Sequence, residues 1–257
     1  MIYIIGGNGF VGSAIVRRCQ SQEIPHQVLT RDNLHLFTGS SCDILINANG
    51  NSKKYMSVRD PLWDFDASVR SVRGSLVDIK ATRYIQLSSC DVYPDCSSPQ
   101  LTREDLLLDV SKQSPYGFHK YLAEQCVMHA SDNWLIFRMG GFVGRNLAKN
   151  AVFDILNGGP LWLDPLSELQ FINTDDAADI ILKIAMSNIS GEIINLCGKG
   201  IITLQEIVNT VGKDIEIKAG SPRVRYDVSI EKLIGITDVP ETRNAVLSFV
   251  EEQIRAR

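Results

Sequence analysis

Hydrophobic and polar positions along this chain follow two periods in turn. Residues 1–5 (MIYII), 26–30, 43–48 (DILINA), 83–87 (RYIQL) and 134–138 are short apolar or β-rich runs, and each predicts a strand. Between them lie stretches of helical period. Residues 12–20 place Ile15, Val16 and Cys19 on one side of a helix. Residues 60–80 and 116–130 predict two more, the first with Pro61 in its opening turn, where a missing N–H is harmless. Strands alternating with helices predict an α/β fold, a doubly wound parallel sheet with helices on both faces. Right-handed crossovers then gather the C-terminal strand ends on one edge, where such sheets bind ligands.

After Arg138 the rhythm breaks into the Gly- and Pro-rich segments GGFVGRN, NGGPLWLDP and AGSPRVR. Helices are expected over 175–186, 204–211 and 241–254, and strands over 192–196 and 215–218. Two domains follow: 1–145 with the main sheet, and 146–257 as a smaller mixed α/β lobe, with part of 174–198 returning to that sheet.

Composition narrows the class. The 26 basic and 30 acidic side chains leave a net charge of −4, so no basic face steers nucleic acid. No apolar run approaches the roughly 18 residues of a membrane span. Met1 opens directly into a strand without a charged leader, which points to an intracellular, cytoplasmic protein. The six cysteines include no C-x-x-C pair and no histidine at ligand spacing, so free thiols and no metal site are expected.

Candidate chemistry sits where strands end. Gly6-Gly7-Asn8-Gly9-Phe10-Val11-Gly12 joins the first strand to the first helix. Glycines at 6, 9 and 12 permit a tight turn, close approach of backbone N–H groups to a pyrophosphate, and helix packing on the strand. The second strand ends in Thr30-Arg31-Asp32. Asp32, 20 residues beyond Gly12, has the spacing of a ribose-binding carboxylate for NAD. Arg31 lies nearer the strand end and suits the 2′-phosphate of NADP, which favours NADP(H) over NAD(H); a solvated Arg–Asp pair is the alternative. Tyr116 and Lys120 stand at i and i+4 on one helix, sharing a face, so an ammonium neighbours a phenol and lowers its pKa. Ser88-Ser89 follows the strand RYIQL, which puts a hydroxyl on the ligand edge, able to bond a substrate carbonyl.

These segments together resemble the extended short-chain dehydrogenase/reductase family, the NAD(P)-dependent epimerases, dehydratases and reductases of nucleotide sugars. GGNGFVG is similar to the family's G-x-x-G-x-x-G, DILINANG to D-x-V-x-H-x-A-A, SSCDVY to S-S-x-x-V-Y, and SPYGFHKYLAE to S-P-Y-G-x-S-K-x-x-A-E. FRMGGFVG and FINTDDAAD resemble L-R-x-x-N-V-Y-G and F-I-H-V-D-D-V-A-D. The resemblance implies a Rossmann-like sheet with a C-terminal substrate-binding lobe. It implies catalysis by Ser89, Tyr116 and Lys120: Tyr116 passes the proton, Lys120 holds the nicotinamide ribose and lowers the Tyr116 pKa, and Ser89 orients the carbonyl. Cofactor contacts are then Gly6, Gly9, Phe10, Val11, Gly12, Arg31, Asn47 and Lys120. Substrate contacts are Ser89, Tyr116 and the loop arginines Arg223 and Arg225, two forks suited to a diphosphate. A homodimer through helices 60–80 and 116–130, and a place in polysaccharide biosynthesis, are also implied.

The departures are specific. Only eleven residues separate Arg31 from Asp43, too few for the family's next strand and helix. Gly141 stands where an Asn is frequent, and Leu169-Gln170 where many members carry Arg-Asp. His119 replaces a frequent Ser and is expected at the surface. Dehydratases carry Asp-Glu after the catalytic Thr, and Cys90-Asp91 supplies half of that pair. The shortened chain is similar to dTDP-4-dehydrorhamnose reductase-like members, which implies a 4-keto-6-deoxyhexose reductase. Nucleotide-sugar 4-epimerisation uses the same triad and stays open, as does a non-catalytic NADP(H)-binding regulatory role.

Overall fold

The computed structural model describes residues 1–256. Its elements in chain order are β1 (Ile2–Ile5), α1 (Phe10–Ser21), β2 (His26–Leu29), β3 (Ser41–Asn47), α2 (Met56–Arg59), α3 (Pro61–Phe65), α4 (Ser71–Asp78), β4 (Lys80–Ser89), α5 (Pro115–Ala130) and β5 (Trp134–Met139). They continue as β6 (Gly141–Val143), α6 (Ala151–Asn157), β7 (Glu168–Leu169), β8 (Phe171–Asn173), α7 (Thr174–Ala185), β9 (Glu192–Leu196), β10 (Ile202–Thr203), α8 (Leu204–Val211), α9 (Glu231–Ile234) and α10 (Thr242–Arg255).

Six strands form one sheet in the order β2-β1-β3-β4-β5-β9. Every pairing among β1 to β5 is parallel, which is the doubly wound α/β arrangement read from the alternation of periods. β2 is an edge strand because the chain after it has room only for a single 3-10 turn, Leu34–Phe37. The Phe37 ring meets the Tyr3 ring edge-on at 5.3 Å, closing that side of the core.

Two compact units emerge. The first comprises Met1–Pro94, Leu107–Met139 and Ala178–Ile194; the second comprises Asp95–Leu106, Gly140–Ala177 and the chain from Asn195 onward. Residues 95–106 group with the C-terminal segments and 178–194 with the N-terminal ones. Within the first unit Arg83 donates to the carbonyls of Ala185 and Ser187 at 2.7 and 2.6 Å, fastening the C-terminal end of α7 to β4. In the second, Val152 and Ile155 of α6, Leu204 and Ile207 of α8, and Val246 and Val250 of α10 close over Phe171 of β8. No helix among the described residues is long and apolar enough to cross a membrane.

The stretch 60–80 is mainly helical, from Pro61 to Asp78, with a π turn inside it. Asp60 caps α3 by accepting from the Trp63 amide, a π turn follows over Asp66–Arg70, and α4 ends at Asp78. Lys80 already belongs to β4, its amide held by the Ser40 carbonyl at 2.9 Å. A π turn adds one residue and shifts the faces on either side of it, and here Asp64 and Ser68 both come to lie buried. The strand expected over 215–218 is reduced to a single bridge between Leu161 and Ile217. Pro160, next to that bridge, has no N–H with which to extend a ladder.

Candidate active site

The turn between β1 and α1 is built for backbone approach. Gly6 adopts φ +78°, and a Cβ on Gly12 would lie 2.2 Å from the Gly6 carbonyl oxygen, so no side chain fits there. Gly9 is the N-cap of α1 and supplies no capping side chain, which leaves the positive helix end at Phe10 and Val11 open to an anion.

The Ser114-Pro115-Tyr116-Gly117 segment starts α5 by simple rules. Ser114 is the N-cap, its Oγ accepting from the Gly117 amide at 3.1 Å, and Pro115 takes the first helical position. Gly117 makes the close approach possible: a Cβ there would lie 2.0 Å from the carbonyl oxygen of Asp91. The first turn of α5 thus seats directly on the chain leaving β4, and Tyr116 meets Ser89. Below them Glu124, two turns on from Tyr116, accepts from Arg138 of β5 at 2.7 Å and from Ser88 at 2.5 Å, fully buried. The Arg138 guanidinium also lies over the Tyr93 ring, 4.8 Å from its centre.

Ser89, Tyr116 and Lys120 come together in the first unit. The Lys120 ammonium lies 5.7 Å from the centre of the Tyr116 ring. Ser89 Oγ donates to Asp91 Oδ2 at 2.9 Å, and the other Asp91 oxygen is held by Lys54 at 2.7 Å. The electrostatics run against the expectation that Lys120 lowers the Tyr116 pKa. Burial pushes the phenol above its ordinary value, Asp91 and then Asp64 push further, and hydrogen bonding with Ser89 only partly opposes them. A phenol so placed keeps its proton at neutral pH and can donate to an oxygen lodged against Ser89. Burial lowers the pKa of Lys120, opposed by Asp64, Asp91 and Glu124. That ammonium makes no hydrogen bond or ion pair among the described residues, although the residue is only 6% exposed.

The open helix end at Phe10 and the unpartnered Lys120 fit a dinucleotide, with its pyrophosphate on the Gly6–Gly12 turn and ribose hydroxyls at Lys120. A nicotinamide bound here would supply or accept the hydride.

Other expected contacts are placed differently. Asn47 is buried, its amide nitrogen donating to Tyr84 and Ser75 at 2.8 and 3.4 Å, so its side chain offers no free donor to a cofactor. Arg31 and Asp32 are both exposed and make no ion pair with each other. Asn33 instead shapes that turn, accepting from the Thr30 amide at 2.6 Å. In the second unit Arg223 is exposed, while Arg225, also exposed, already pairs with Glu168 and Asp227, each at 2.8 Å. A Cβ on Gly141 would lie 2.6 Å from the Gln170 carbonyl, which excludes the frequent Asn. Gln170 is buried and bonds the Gly198 carbonyl and the Val228 amide at 2.8 and 2.9 Å, a fastener rather than a ligand group. His119 is buried rather than at the surface, because Asp64 lies 2.6 Å from its Nδ1. Asp64, Gly50 and Lys54 are not picked out by any local spacing in the sequence.

No curated protein sequence matches the chain. Among solved structures, Pal from Bacillus thuringiensis is 18% identical with a TM-score of 0.81, covering 99% of each chain. The UDP-glucuronic acid 4-epimerase from Bacillus cereus, in complex with UDP-glucuronic acid and NAD, is 19% identical with a TM-score of 0.78, covering 100% of this chain and 99% of its own. RMD from Pseudomonas aeruginosa, complexed with NADPH, is 17% identical with a TM-score of 0.77, covering 98% and 99%. At such identities the likeness concerns the fold. The model of the NAD dependent epimerase/dehydratase family matches residues 2–197, and with three quarters of its length inside that match this chain belongs to the family.

Proposed function

We propose that this protein is an NAD(P)-dependent oxidoreductase of nucleotide-activated sugars that exchanges hydride at C4, reducing a 4-keto-6-deoxyhexose. The observation that carries the reading is the meeting of Ser89, a protonated Tyr116 and an unpartnered Lys120 at the C-terminal end of β4. Tyr116 donates the proton to the carbonyl oxygen while Ser89 holds it, and Lys120 binds the nicotinamide ribose. Cys90 in place of a second carboxylate argues against 4,6-dehydration. Arg31, exposed beside the end of β2, supports NADP(H) over NAD(H). Nucleotide-sugar 4-epimerisation is the second reading, favoured by the likeness to the Bacillus cereus 4-epimerase. The protein works in the cytoplasm with its thiols free, and pairs with a second copy through helices 60–80 and 116–130, on the first of which Leu62 and Val77 are 78% and 66% exposed.

The test is oxidation of NADPH and NADH across UDP-, dTDP-, GDP- and CDP-linked 4-keto sugars. Stoichiometric NADPH oxidation is expected; isomer exchange without net oxidation would establish the epimerase instead. Tyr116→Phe should lower turnover by about a hundredfold or more while leaving dinucleotide affinity within about twofold. Full activity in that variant overturns the assignment.

A further inference from the structure

Asp64 is fully buried near the end of α3, two residues before the π turn, and its carboxylate is held at both oxygens. Oδ1 accepts from Asn51 Nδ2 at 2.7 Å and from Ser68 Oγ at 3.3 Å, and Oδ2 lies 2.6 Å from His119 Nδ1. Two of these partners are chain neighbours of residues that face each other. Asn51 follows Gly50, and His119 precedes Lys120. A Cβ on Gly50 would lie 2.7 Å from Lys120 Nζ, so the bare backbone at Gly50 forms a wall against the ammonium. The Phe65 ring, edge-on at 5.7 Å, confines the imidazole from another side.

We propose that Asp64 is a positioning residue: it clamps the loop after β3, through Asn51, to α5, through His119, and so fixes the Lys120 ammonium against Gly50 where a dinucleotide's ribose hydroxyls reach it. The placement of the ribose rests on the nicotinamide-dependent reading above; the clamp itself does not. Glu124 and Asp91 also act on Lys120; Glu124 is tied to Arg138 of β5, and Asp91 grips the same loop farther along, at Lys54. Asp64 is bonded to both walls, to Asn51 in the loop and to His119 in α5.

Three variants separate clamping from mere structural support. Asp64→Asn keeps the volume but turns one edge into a donor facing donors. His119→Leu removes the tie to α5 from a helix otherwise well supported, and His119→Gln keeps a donor there. In the ligand-free protein, amide exchange over residues 49–53 should accelerate by about tenfold or more in Asp64→Asn and His119→Leu, and much less in His119→Gln. Dissociation constants for NADPH and NADH should rise by about tenfold in the first two, with the sugar KM within about twofold, and recover in His119→Gln. Unchanged exchange over 49–53 overturns the clamp, as does a lowered melting temperature with unchanged dinucleotide affinity. If the unaltered protein binds neither dinucleotide, the cofactor reading fails, and the exchange rates alone decide for or against the clamp.

Discussion

At the residue scale, Lys120 shows how this chain sets stability against its site. Its pKa is lowered even with Asp64, Asp91 and Glu124 nearby, so the desolvation of the ammonium outweighs the attraction of three carboxylates. Each of those carboxylates has another partner, in His119, Lys54 and Arg138 respectively. Replacing Lys120 by Met should therefore raise the melting temperature of the ligand-free protein, by a few degrees or about 1 kcal/mol, and abolish dinucleotide binding. Calorimetry with and without NADPH checks both halves; a fall in the ligand-free melting temperature would show that the ammonium stabilises the fold. Tyr116 and Lys120 were legible as a pair because i and i+4 share a helix face whatever the rest of the chain does. The rise in the Tyr116 pKa was not legible, since it comes from burial and from carboxylates 25 and more residues away in sequence.

Among elements, α5 carries the site because its start is written into four consecutive residues. Ser114 caps, Pro115 opens, Tyr116 reacts and Gly117 lets the turn touch the Asp91 carbonyl. In an isolated helix, Gly→Ala gains about 1 kcal/mol. At Gly117 the added Cβ would lie 2.0 Å from backbone oxygen, a clash of the kind that costs about 1–3 kcal/mol even after relaxation. Gly117→Ala should lower the urea midpoint and reduce turnover by about tenfold or more, as Tyr116 is pushed from Ser89. A more stable, fully active variant would mean that the contact is slack. The sequence shows 60–80 as mainly helical but not the π turn inside it, for a related reason. Its apolar spacing suits a helix on both sides of Asp66, but the π turn that changes the inward face is set by packing against α5.

For the whole molecule, burial of neutral acids predicts the response to alkali. Burial raises Cys19 and Cys42 from 9.0 to about 11 and Tyr84 from 10.0 to about 12, and Tyr116 moves the same way. The folded chain then holds protons that the unfolded chain has released. This stability is complete below pH 9 and is lost as pH climbs from there toward 12. Lys120, shifted downward, contributes in the opposite sense but is a single group. Urea midpoints should be level up to about pH 8.5 and fall progressively above it. Cys19→Ala combined with Cys42→Ala should flatten the first part of the decline, and a level midpoint to about pH 10.5 would contradict the account.

What the sequence by itself determined is whatever depends on near neighbours in the chain. The period of apolar positions specified the parallel α/β sheet, three glycines specified the turn before α1, and four residues specified the start of α5. Those signals survive because backbone sterics and helix geometry act over a few residues. Tertiary structure alone decided that Asp64 and His119, 55 residues apart, share a hydrogen bond, that Asn47 and Arg225 are already engaged, and that Gly141 is hemmed in by Gln170. Such pairings arise when buried polar groups find partners in space, and the energy that selects them is desolvation, which no local spacing encodes.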